Sequence, residues 1–323
     1  MGLISSTIGR IFPRHRALAE WAKIYALVVQ AKPIQCKTKQ NRASYIRRIV
    51  DRLGERRIGS LRAHDFAAYI NEVAAEHPHL ARRMLIEARD MMREAVAYGW
   101  IDRDPTVGVK TPRVRVIRRR LTFEQWQAIH KWAELNSPPW VPRMLALALV
   151  TGQRRGDLRE MRFSDVWDEA TPAGSEPHLH VIQQKTGERV AIPLSLRLDA
   201  LGQTVGEAIE ACRQYAPEAT SADALLLRKT TGDAPVPPSM SWRFEQAREG
   251  ALGEHAEADS SPSSLHECRS LSARLYANQG VQDVQTLLGH TDESMTDLYL
   301  NDRGLDIRSG RWRRVALTGA IPA

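Results

Sequence analysis

The sequence predicts an α+β protein, mainly helical, built as two domains: a small helical front domain, then a mixed domain with a small antiparallel sheet. Three observations predict it. Four consecutive front stretches place apolar residues near i, i+3, i+4 and i+7, the stripe of a core-facing helix. A junction rich in proline and arginine interrupts them near residue 105. Beyond it, helical patterns flank two alternating runs joined by a turn, the signature of a hairpin. With 323 residues, 43% hydrophobic and 26% charged, the chain is long enough for two cores.

The four front helices read as HRALAEWAKIYALVVQ, KTKQNRASYIRRIVDRLG, LRAHDFAAYINEVAAEH and LARRMLIEARDMMREAVAYGW, punctuated mostly by Gly or Pro. The stretch IDRDPTVGVKTPRVRVIRRR follows, where Pro105 and Pro112 discourage helix and the basic side chains crowd together as an extended linker. LTFEQWQAI restarts helix with Thr122 as N-cap and Gln125 three residues on, a capping box that marks a domain start. Helices are expected near 123–135 and 139–150, then the hairpin HLHVIQQKTGERVAIP turning at KTGE, with helical patterns resuming from about 195. The expected organisation is a tail at 1–15, a helical domain at 16–108, a basic linker at 109–120, a second domain at 121–310 and a tail at 311–323. The acidic run GEHAEADSSPSS reads as a flexible loop, and GRWRRVAL near the end as a short strand. Trp100, Trp126 and Trp140 read as core or domain-edge aromatics.

Charge is uneven. Residues 1–120 hold 25 Lys and Arg against 11 Asp and Glu, a surplus of 14, whereas the rest of the chain holds 21 against 27. A basic segment of that size gathers energy from phosphates by counterion release, and no lipid-inserting aromatic face accompanies it, which favours nucleic acid over a membrane surface. A set of merely solvated basic helices is the alternative. Lys37, Lys39, Arg42 and Arg47 in the second helix, and Arg118, Arg119 and Arg120 in the linker, are the candidate DNA-backbone contacts; none is assigned a base.

The three cysteines, Cys36, Cys212 and Cys268, lack CxxC spacing, so neither a disulfide framework nor a zinc cluster is indicated. No apolar run approaches a membrane span and the N-terminus lacks a signal-peptide core, which together with the thiols predicts a cytoplasmic protein. Neither GxGxxG nor a Walker-type phosphate loop occurs, so any phosphate chemistry falls to side chains, and no metal or other cofactor is expected.

His266 and Arg269 stand three residues apart, on one face of a helix expected to begin at about 265 behind an S-x-x-E box formed by Ser264 and Glu267. Helix N-terminus and guanidinium together make a seat for a phosphate. The pair has company: Arg154 in TGQRRGDL, Lys185 at the hairpin tip, His290 in LLGH, and Tyr299 nine residues further on.

As an ordered set these motifs closely resemble the tyrosine recombinase family, and within it phage integrases of the lambda type. The resemblance spans about 121–310, with the front domain similar to the family's core-DNA-binding domain. It implies a site-specific recombinase that cleaves and rejoins DNA through a 3′-phosphotyrosyl intermediate, for integration or excision of a prophage. It implies a catalytic set of Arg154, Lys185, His266, Arg269, His290 and Tyr299, with Tyr299 as nucleophile and Asp157 in support, orienting Arg154 or capping the next helix. It further implies a homotetramer on double-stranded DNA attachment sites, nucleoid association in a bacterial host, and DNA-bending and excision proteins as accessory partners. The family's amino-terminal arm-binding domain is expected to be absent, the C-terminal tail to dock on a neighbouring protomer, and Cys268 replaces the family's usual Leu. A type IB topoisomerase, or a DNA-binding protein without cleavage, stays open as an alternative.

Overall fold

The computed structural model describes residues 16–114, 119–171, 174–215, 223–253, 262–281, 283–290 and 292–300. Arg118, the acidic loop at 254–261 and the C-terminal stretch expected to form a strand lie outside them. The chain divides into two compact units, Met1–Val116 and Ile117–Ala323.

In the first unit the four expected helices form as α1 (Leu18–Ala31), α2 (Cys36–Leu53), α3 (Ala63–Glu76) and α4 (Pro78–Ala97). The apolar stripes decide which face turns in: Leu18, Trp21, Ala22, Tyr25 and Val29 of α1 are buried against Met84, Ala88, Met91 and Ala95 of α4. Pro78 opens α4 at its first turn, where a missing N–H costs nothing. Trp21 and Trp100 meet at 5.4 Å, and the indole of Trp21 donates to the Met91 carbonyl at 3.0 Å.

The second unit begins with α5 (Phe123–Asn136), whose capping box forms as expected: Thr122 Oγ1 accepts from Gln125 N–H, and Gln125 Oε1 accepts from Thr122 N–H. Next comes α6 (Trp140–Thr151), buried on every side and ended by Gly152 at φ +65°, where only glycine is unstrained. The short α7 (Arg155–Glu160) leads into a three-stranded antiparallel sheet of β1 (Val166–Thr171), β2 (Gly174–Ile182) and β3 (Arg189–Pro193), in that spatial order. Leu179 pairs with Ile192 and Val181 with Val190, so alternate residues of the hairpin face the core. β1 was not anticipated, nor was the small antiparallel pair β4 (Arg197–Leu198) and β5 (Gln203–Thr204) that precedes α8 (Val205–Tyr215). Helix therefore resumes at 205 rather than 195. α9 (Pro237–Leu252) lies against α5 so closely that a Cβ on Gly250 would fall 2.2 Å from Trp132 Cε2.

Three helices complete the unit: α10 (Glu267–Asn278), α11 (Val284–Leu287) and α12 (Glu293–Leu300). α10 crosses α6, its Tyr276 hydroxyl donating to the Val150 carbonyl at 2.7 Å. Cys212 and Cys268 are buried, burial pushing the thiol of Cys212 up to about 12 and that of Cys268 higher still, whereas Cys36 is exposed. Trp100, Trp126 and Trp140 are all core residues. Among the described residues, no helix is long and apolar enough to cross a membrane.

Candidate active site

Every described residue of the implied catalytic set belongs to the second unit, and five of the six converge at the ends of α6, α10, α11 and α12. The centre is Arg269, whose side chain is only 1% exposed. Its Nη1 donates to the Gly152 carbonyl at 2.8 Å and its Nη2 to the Leu288 carbonyl, which fixes the guanidinium between the end of α6 and the LLGH turn. The same Nη2 lies 3.1 Å from His290 Nε2. Because a guanidinium only donates, Nε2 accepts and the imidazole proton sits on Nδ1, where it is donated to Thr296 Oγ1 at 3.0 Å. Burial, then the charges of Arg269 and Arg154, lower the pKa of His290 to about 4, so the ring is neutral near pH 7.

Burial, then the neighbouring charge of Arg154, likewise lowers Arg269 to about 10. It stays cationic at neutral pH. The two guanidiniums repel one another, and an anion bound by both relieves that repulsion.

Tyr299 sits on α12 with its ring over this group, 5.4 Å from Arg269 Cζ and 5.0 Å from the His290 ring. Its hydroxyl is 2.9 Å from His266 Nε2, the shortest route for the phenolic proton. The helix carrying His266 and Arg269 starts later than expected, with His266 as N-cap and no side-chain cap bond. The N-cap is therefore His266 and not Ser264, and the Glu267 carboxylate meets Arg120: Nη1 of Arg120 lies 3.1 Å from Glu267 Oε2 and 2.7 Å from Ser270 Oγ, while Nη2 donates to the Leu298 carbonyl. Arg120 thus ties the N-terminus of α10 to the helix that carries Tyr299.

Arg154, N-cap residue of α7, donates through Nη1 to Gln183 Oε1 at 2.5 Å. Asp157 does not cap α7; its Oδ1 accepts the backbone N–H of Gln184 at 2.9 Å and so anchors the hairpin tip. Lys185 is exposed on that tip, next to Gln184, whose backbone N–H Asp157 holds.

The backbone candidates in the basic surface divide. Lys37, Arg47 and Arg119 are exposed, and Lys39 is half-buried with its ammonium on the Gln30 carbonyl. Two readings are corrected. Arg42 is spent inside the front domain, its Nε 3.0 Å from Glu87 and its Nη2 on Asp90 and on the Tyr25 hydroxyl, because a half-buried guanidinium needs counterions there. Arg120 is buried in the ion pair just described, its guanidinium spent on Glu267, Ser270 and the Leu298 carbonyl.

Sequence reasoning missed Gln153, Gln183, Thr296 and the two glycines, Gly152 and Gly289, that let segments approach. A signal existed for Gln183: it continues the inward phase of Leu179 and Val181, and a polar side chain in a core phase must find partners. Among the described residues, no group of three His, Cys, Asp or Glu gathers as a metal site.

The fold and this cluster define the class: the chain belongs to the phage integrase family, whose profile matches residues 119–304. It is 36% identical over 292 residues to the prophage integrase IntE of Escherichia coli (strain K12), covering 88% of this chain and 72% of that protein. The integrase of Escherichia phage lambda is 35% identical over 293 residues, with 89% and 76% covered. Among solved structures, a lambda integrase (75-356) dimer bound to a COC' core site superposes with a TM-score of 0.82 at 30% identity, covering 93% of this chain and 99% of that one. A lambda integrase tetramer bound to a Holliday junction gives 0.80 at 29% identity, covering 93% and 80%.

Proposed function

We propose that this protein is a tyrosine-type site-specific recombinase that integrates and excises a phage genome. The observation that carries the reading is the 2.9 Å contact between His266 Nε2 and the Tyr299 hydroxyl, set against the Arg269 guanidinium. A phenol is a weak nucleophile at neutral pH, so its proton must leave as it attacks, and His266 is the base within reach. The Tyr299 oxygen forms a bond to a DNA phosphorus, the bond from phosphorus to the 5′ oxygen breaks, and Lys185 gives that oxygen its proton. Arg154 and Arg269 offset the charge on the non-bridging oxygens. His290, neutral and hydrogen-bonded to Arg269, holds that guanidinium in place rather than delivering a proton. One phosphodiester is exchanged for another, so a 5′-hydroxyl of a second strand reverses the step without ATP.

Lys37, Lys39, Arg47 and Arg119 supply backbone contacts in this reading. The relatives solved as a dimer on a core site and as a tetramer on a Holliday junction support assembly of four chains on two double-stranded DNA sites. The test uses the DNA flanking the gene as substrate, nicked so that the cleaved end diffuses away. Wild type is expected to trap a covalent adduct and Tyr299→Phe to bind the same DNA without one. Absence of an adduct in wild type would refute cleavage, and relaxation of supercoils without strand exchange between two sites would favour the topoisomerase alternative.

A further inference from the structure

Gln183 is 0% exposed and its amide joins three segments that the recombinase reading needs together. Its Oε1 accepts from Arg154 Nη1 at 2.5 Å and from Thr186 Oγ1 at 3.1 Å. Its Nε2 donates to Gln153 Oε1 at 2.8 Å and to the Leu288 carbonyl at 3.0 Å. Gln153 in turn donates to the Leu287 carbonyl at 2.7 Å. The backbone of Gln183 closes the hairpin as well: its N–H donates to the Glu188 carbonyl and its carbonyl accepts from Gly187 N–H, bracketing Lys185. Gly289 passes so close that a Cβ there would fall 2.6 Å from Gln183 Nε2. Every donor and acceptor of this amide is therefore used, and its four partners lie on three motifs: Gln153 and Arg154 on the arginine turn after α6, Thr186 on the lysine hairpin, and Leu288 on the LLGH turn that holds His290.

We propose that Gln183 is a positioning residue that sets Arg154 and the Lys185 hairpin in one fixed register, so that the phosphate seat and the leaving-group proton donor are assembled together. The inference rests on the recombinase reading. It is distinct from a packing role, because an amide that only filled space would tolerate a side chain of equal length without its polar atoms.

The test exploits leaving-group chemistry. A 5′-bridging phosphorothiolate leaves as a thiolate, which needs no proton, so a defect that acts through Lys185 is relieved on that substrate while a defect that acts through Arg154 is not. Single-turnover adduct formation is measured for wild type, Gln183→Met, Gln183→Glu and Lys185→Ala on both substrates, with thermal melting and DNA affinity as controls. Gln183→Met is expected to cleave the ordinary phosphodiester about 10²-fold more slowly, the cost of a displaced catalytic group, and to recover at least about tenfold of that loss on the phosphorothiolate, part of the ~10²–10⁴-fold that a positioned proton donor supplies. Gln183→Glu keeps both acceptor contacts but turns the donor atom against Gln153 Oε1 and the Leu288 carbonyl, and its carboxylate neutralises Arg154. Its loss is expected to persist on both substrates. A folded Gln183→Met with wild-type cleavage overturns the proposal, as does an equal loss on the two substrates. A wild type that forms no adduct on either would instead sink the recombinase reading, which separates the two failures.

Discussion

Replacing Arg120 by methionine tests how much the second unit depends on its buried ion pair. Arg120 and Glu267 side chains are 3% and 4% exposed, with 3.1 Å between Nη1 and Oε2. Removing one partner leaves a carboxylate in a dry site, together with the Leu298 carbonyl and Ser270 hydroxyl that had accepted from Arg120. Breaking a buried pair in this way costs about 3–5 kcal/mol. At about 2–4 °C per kcal/mol for a domain of this size, the melting transition of the second unit falls by about 6–20 °C. The control is built into the same chain: Arg52 and Glu72 also meet at 3.1 Å, but their side chains are 58% and 63% exposed. An exposed pair contributes about 0–1 kcal/mol, so at about 4–8 °C per kcal/mol for the smaller first unit Arg52→Met moves its transition by no more than about 8 °C. Differential scanning calorimetry of the full chain reads both variants. Equal free-energy losses for the two would refute the argument, since the ion-pair distance is the same and the Arg120 pair is set apart by its burial and its added bonds to Ser270 and Leu298.

Gly289→Ala, at φ +58° and with its new methyl against the Gln183 amide, is expected to lose about 1–3 kcal/mol in urea unfolding from the backbone conformation alone; an unchanged midpoint would contradict the close approach. His290 is expected to titrate at about 4 by NMR. Because its folded value lies below the unfolded one, the native state binds fewer protons between the two, and stability falls as pH drops from about 6.5 towards 4 and is regained above it. A titration near the unperturbed imidazole value would remove that claim. Lys37→Ala should lower the salt slope of DNA binding by about 0.9, whereas Arg42→Ala should leave the slope unchanged and reduce stability. A matching drop in slope for Arg42→Ala would restore it as a phosphate contact.

What could be read in the sequence was whatever is local. The front helices announce themselves by a 3.6-residue period, and the start of α5 by a box whose donors and acceptors lie three residues apart. The same rule misplaced the start of α10, whose N-cap is His266 and not Ser264, and it could not show that the Glu267 carboxylate meets a partner 147 residues away, a separation at which local pattern says nothing. Charge counting failed similarly at Arg42 and Arg120. A tally cannot separate a solvated guanidinium from one that satisfies a buried acid, since the acids Glu87, Asp90 and Glu267 are brought close only by the fold. β1 was obscured by Asp168 and Glu169, poor strand formers, and β4 and β5 are only two residues each. The cluster around Arg269 was legible as an ordered set of motifs, but not the amides of Gln153 and Gln183 that join them.

The cysteines have a practical consequence. With two sulfurs sealed in the core as reluctant protonated thiols, an alkylating reagent meets a single accessible one, Cys36, at the first turn of the arginine-rich second helix. The unaltered polypeptide therefore carries its own attachment point for one fluorophore, beside the surface where DNA is expected to arrive, and oxidants should dimerise or cap that position while sparing the interior.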